Sequence, residues 1–133
     1  MDQSLVDSMW EYLNAGLTMD IDKIDALYDP EFENIRIDEA GLIVALTKAQ
    51  FMDRFHALKA QGQHMEPVDD VEFLTTTRYG DHATIIMRRV KEGRPVLYNF
   101  VWRMDGDRPA TILREFTNEK DLSYLVKLIA AAG

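Results

Sequence analysis

The sequence predicts a single α+β domain over residues 1–133, with helices on the concave face of a curved, mainly antiparallel sheet in the order ααββαββββα. Three observations carry that expectation. Apolar residues recur at helical spacing between Leu5 and Leu58, and four alternating stretches joined by Gly- and Asp-bearing turns follow from residue 67. A last amphipathic stretch then closes the chain, and no linker, repeat or low-complexity tract divides it.

Leu5, Met9, Tyr12 and Leu13 mark the first helix. Ile21, Ile24, Leu27 and Tyr28 mark the second, with Asp20 as N-cap and Pro30 forbidding continuation. Phe32 to Asp38 alternates as a strand, Asp38-Glu39-Ala40-Gly41 reads as a turn, and Leu42 to Leu46 returns as a second strand. Thr47-Lys48-Ala49-Gln50 is a capping-box pattern ahead of Phe51, Phe55 and Leu58 on one helical face, with Gly62 placed as the C-terminal cap. Four strands are expected at Pro67–Arg78, His82–Glu92, Pro95–Met104 and Pro109–Glu119. Tyr79-Gly80-Asp81, Glu92-Gly93 and Asp105-Gly106-Asp107 supply the residues that tight antiparallel hairpins need. Asn118 is expected to cap a final helix striped by Leu122, Leu125, Val126 and Ile129.

Composition narrows the function. Fifteen Lys and Arg against 23 Asp and Glu give a net charge of −8, which repels phosphate backbones and anionic bilayers, so neither nucleic acid nor membrane is expected as a partner. The absence of cysteine removes disulfides, thiolate metal sites and cysteine nucleophiles. The first ten residues carry acids where a signal peptide carries lysines, so the cytoplasm is the default location. His56, His64 and His82 do not share metal-ligand spacing, and neither a nucleophile elbow nor a glycine-rich phosphate loop occurs, so no metal or cofactor is expected. His56 is expected on the helix surface.

Several strings, taken in order, resemble those of one known superfamily. Asp22 to Phe32 looks like its second helix running into its first strand. Leu46-Thr47-Lys48-Ala49-Gln50-Phe51 looks like its hairpin-to-helix junction, and Arg103 to Arg108 followed by Ile112 to Phe116 looks like its last hairpin. On these the chain resembles the nuclear transport factor 2-like superfamily of cone-shaped, cystatin-like domains, and within it the branch labelled for lumazine binding. The resemblance implies a conical cavity between sheet and helices and a homodimer formed through the sheet. Ile86, Val90, Leu97 and Val101 would otherwise leave that face apolar and uncovered.

Fold does not fix chemistry, so the cavity positions have to carry it. A ketosteroid isomerase of this superfamily needs a carboxylate base, with a phenol and a neutral carboxylic acid to hold the oxyanion. The resemblance places the phenol on Tyr12, the base on Arg36 and the oxyanion acid on Phe100. A guanidinium takes no proton at neutral pH and a phenyl ring donates none, so that mechanism is not expected. Asp38 serves as the base only if the strand register shifts; its plainer role is to open the turn. Tyr12 also lies on the apolar stripe, where core packing with a satisfied hydroxyl competes with ligand contact.

The expected ligand-binding set is Tyr12, Arg36, Phe55, Tyr98, Phe100, Trp102, Arg114 and Phe116. Ile112, Arg114 and Phe116 point inward together from the last strand if its alternation is regular. Arg114 would then be paired with an internal acid, Asp38 or Glu33, or with an anionic ligand. For Arg36, alternation with Ile35 and Ile37 sends it outward while the resemblance sends it inward. Three functions remain: a homodimeric domain with an aromatic cavity for a small molecule such as an organic acid; an enzyme of cyclase, dehydratase or hydrolase type; or a dimerising interaction domain with a filled core. A cavity below ~300 Å³ favours the last.

Overall fold

The computed structural model describes residues 1–65, 70–91 and 93–132. Asp2 accepts the amides of Ser4 and Leu5 and so starts α1 (Gln3–Leu17), which buries Leu5, Met9, Tyr12 and Ala15. Asp20 accepts the Lys23 amide at the start of α2 (Ile21–Leu27). Tyr28 then leaves the helix and opens β1 (Tyr28–Asp38). Pro30 falls inside this strand, in the stretch where the pairing with the last strand is irregular, so its missing N–H breaks no ladder bond.

The turn after β1 is built by Asp38. Its side chain accepts the Ala40 and Leu42 amides at 3.0 and 2.9 Å, and its second oxygen accepts the Leu122 amide at 3.0 Å. Asp38 is therefore spent on the backbone. Following β2 (Ile43–Thr47), the full capping box of Thr47 and Gln50 starts α3 (Lys48–Ala60). Gly62 ends it with φ +70°, where a side chain would be strained.

Strands β3 (Glu72–Tyr79), β4 (His82–Lys91), β5 (Arg94–Asp105) and β6 (Arg108–Glu119) form the expected antiparallel meander. The third strand starts at Glu72 rather than Pro67; residues 67–69 and Glu92 lie outside the described residues. The six strands form one open sheet in the order β2-β1-β6-β5-β4-β3, with β1 and β6 parallel and every other pair antiparallel. Every second residue of β5 (Val96, Tyr98, Phe100, Trp102, Met104) is buried against the helices, joined by Ile85, Met87 and Phe32.

Helix α4 (Ser123–Ala132) differs from expectation at both ends. Its start is capped by Asp121, which accepts the Ser123 amide and hydroxyl, while Asn118 stays in β6. Leu122 and Leu125 are buried, but Val126 and Ile129 are exposed.

The main departure is in β6. Ile112 pairs with Trp102 and Arg114 pairs with Val101, so Leu113 is an extra residue that breaks the strand's parity. Beyond it Glu115 and Thr117 face inward, and Arg114 and Phe116 face outward. Both residues expected inside are therefore on the opposite face of the sheet.

Candidate functional site

The extra residue in β6 puts a carboxylate in the core. Glu115 stands beside Asn34 of β1 and Phe100 of β5 and is buried, as are Asn34 and Thr117. Asn34 donates to Glu115 Oε2 at 2.9 Å and accepts from Arg36 Nε at 2.9 Å. Arg36 continues to Glu119 Oε2 at 3.3 Å and reaches the Tyr124 hydroxyl at 3.4 Å, and that hydroxyl donates to Glu119. Burial pushes the Glu115 carboxyl above its ordinary value, against the pull of Arg36 and the Asn34 hydrogen bond. Burial also disfavours the Arg36 cation, but Glu115 and Glu119 outweigh that and raise its pKa. One guanidinium thus answers two acids.

Next to this network the Tyr12 and Tyr28 hydroxyls lie 2.5 Å apart. Burial, then the nearby Glu115 charge, holds Tyr12 well above the ordinary phenol value, so it stays a proton donor. Its hydroxyl is satisfied inside the core. Tyr12 also packs edge-on against Phe100, which stacks with Tyr98. These rings fill the interior instead of lining a space. Trp102 Nε1 and Thr117 Oγ1 are buried without a hydrogen-bond partner among the described residues.

A small cavity lies between α3 and β1. It measures about 60 Å³ and is lined by Arg36, Phe51, Arg54, Phe55, Leu58 and Met65. Of the expected set, Arg36 and Phe55 face it; Tyr12, Tyr98, Phe100 and Trp102 are packed in the core. Arg114 bonds the Glu31 carbonyl at 2.7 Å and pairs with Glu33 at 3.4 Å on the outer face, both side chains partly exposed. Glu33 is the acid named as its partner, but the pair is not internal.

Two site residues were missed. Arg54 lies one position before the apolar Phe55 and shares the cavity wall with Arg36. Burial, then the Arg36 charge, lowers its pKa. It makes no hydrogen bond or ion pair among the described residues. Glu115 was missed because regular alternation sent it outward.

No protein-family model and no curated protein matches the sequence. Among solved structures, the chain is similar to a nuclear transport factor 2-like protein of unknown function from Silicibacter pomeroyi DSS-3, with a TM-score of 0.65 at 11% identity over 86% of this chain and 92% of that one. A nuclear transport factor 2-like protein of unknown function from Shewanella baltica OS155 gives 0.60 at 9% identity over 86% and 90%. A de novo designed protein with this fold gives 0.55 at 14% identity over 98% and 94%. The chain has the nuclear transport factor 2-like fold, and at these identities the likeness is one of fold.

Proposed function

We propose that this domain binds a short organic acid, with the carboxylate between Arg54 and Arg36 and the carbon chain against Phe51, Phe55 and Leu58. Arg54 carries the reading: a guanidinium without a partner among the described residues faces the same cavity as a second guanidinium, on walls that are otherwise apolar. Two like charges at one cavity disfavour each other, and a carboxylate between them relieves both. Arg36 is already fixed by Asn34 and Glu119, so little is lost in ordering it. The 60 Å³ volume restricts the enclosed part to a carboxylate-sized group. Glu115 does not line the cavity, which weighs against the enzymatic alternative.

The domain acts as a homodimer in this reading, through the outer sheet face. Val90 and Leu97 stand 51% and 41% exposed there, beside the half-buried Ile86, Val101 and Phe116. A second reading, in which that face is the whole function, draws on the small size of the cavity. Calorimetric titration with butyrate and benzoate, and with their alcohols, separates the two. Saturable binding of the acids alone, weakened at least tenfold by Arg54→Met, is expected. Binding that ignores this substitution, or no acid binding by ~50 mM, removes the ligand reading and leaves the interface.

A further inference from the structure

We propose that the cavity between Arg36 and Arg54 takes up a proton from solvent together with the acid it binds, and that Glu115 receives it. The coupling rests on the organic-acid reading and supplies the group that sets its pH dependence.

One guanidinium is shared by more anions than it can serve. Arg36 Nε donates to Asn34 Oδ1 and Asn34 Nδ2 donates to Glu115 Oε2, both at 2.9 Å, so one side-chain amide joins the arginine to the buried acid. Arg36 Nη1 is given to Glu119 and the Tyr124 hydroxyl. Nη2 makes no hydrogen bond among the described residues, and Arg36 lines the cavity. A carboxylate bound there competes with Glu115 and Glu119 for the same cation. Glu115 is buried and does not line the cavity, so its response to the ligand is electrostatic and carried through an interior where screening is weak.

The groups around Glu115 decide the sign. Burial works against its charge, while Arg36 first, then the Asn34 hydrogen bond, Lys91 from the end of β4 and Arg54 from α3 work for it. Tyr12 from α1 and Tyr28 from β1 face it as neutral phenols, both held well above the ordinary value by burial. From β5 the uncharged Phe100 stands beside it, with Tyr98 stacked on that ring. Glu119 from β6 and Tyr124 from α4 share Arg36 with it. Two of the three cations that keep Glu115 ionised are therefore the two that a carboxylate in the cavity neutralises. The ligand withdraws support from the charged form and adds a like charge nearby, and both effects push the Glu115 carboxyl further up. Linkage then requires proton uptake on binding, and an affinity that falls as pH rises through the folded Glu115 value.

Calorimetric titration of the whole chain with butyrate counts the protons when it is run above the ordinary carboxylate range in two buffers of different ionisation enthalpy. A measurable fraction of a proton, up to about one, should be taken up per butyrate bound. The apparent Kd should rise with pH, by up to about tenfold per unit. Glu115→Gln has no carboxylate to protonate, so its uptake should vanish and its affinity stay level over the same range. The Glu115 carboxyl carbon, followed by NMR in the parent chain, needs no substitution: its titration should move to higher pH on saturation with butyrate and stay in place with butanol. Saturable binding without proton uptake, uptake that persists in Glu115→Gln, or an unmoved Glu115 titration would each overturn the coupling and leave the acid site standing. Absence of butyrate binding would remove the acid site and the coupling with it.

Discussion

Arg36 can be mostly withdrawn from solvent because three neighbours on the same side of the sheet compensate it: Asn34, Glu115 and Glu119. Removing it by Arg36→Met strands the buried Glu115 and should lower stability by ~3–5 kcal/mol in urea unfolding at neutral pH. Glu115→Gln keeps an acceptor for Asn34 and should recover part of that loss in the double variant, a coupling that a mutant cycle measures. The Glu115 pKa is raised on folding, so its contribution is fully present below the ordinary carboxylate range and is lost as pH rises through the folded value. Stability should therefore fall less steeply as pH rises above the ordinary carboxylate range in Glu115→Gln than in the parent; parallel profiles would contradict the assignment.

Asp29 has the opposite sign. Burial works against its charge, but the Glu31 amide, Arg103 and Thr111 together hold its pKa at about 2. That stability is present above the ordinary value and is lost as pH falls toward 2, so Asp29→Asn should flatten the acid limb of a thermal-melt profile. Arg114→Met, whose charge is half-exposed, should change stability by less than about 1 kcal/mol and leave acid binding intact.

Elements were legible where a cap or terminus set them locally, apart from the last helix, where Asp121 and not Asn118 is the cap. The Thr47–Gln50 box, the Asp20 cap and the Gly62 terminus all formed as expected, because each depends on residues within one turn. Thr47→Ala should cost ~1 kcal/mol, read as a lowered urea midpoint with an unchanged slope. What was not legible was parity across a long strand. Leu113 has no signature in sequence that marks it as extra, and one residue exchanges the faces of everything after it, so Arg114 and Phe116 traded places with Glu115 and Thr117. Arg36 follows the regular alternation of β1 from Phe32 and Asn34; Ile35 and Ile37 look like core residues by their apolarity but face the outer side with Phe116, next to the proposed interface. Val126 and Ile129 show that an amphipathic stripe does not report whether anything packs against it.

At the scale of the molecule, the interior aromatics counted as a cavity lining instead pack on one another, since sequence reports which side chains face inward but not whether they meet. The α3–β1 gap holds only a small, half-open cavity of about 60 Å³. Burying the outer sheet face predicts a sedimenting species of twice the 15.3 kDa chain mass at micromolar concentration, reverting to monomer in Leu97→Asp. Among the described residues no helix is long and apolar enough to cross a membrane. The central claim is that Arg36 and Arg54 receive a carboxylate, and the guanidinium Nε–Hε resonances of these two residues report it most directly. On adding butyrate both should move along one saturable curve, with the Trp102 indole signal still; shifts at Trp102 without movement at Arg54 would contradict the account.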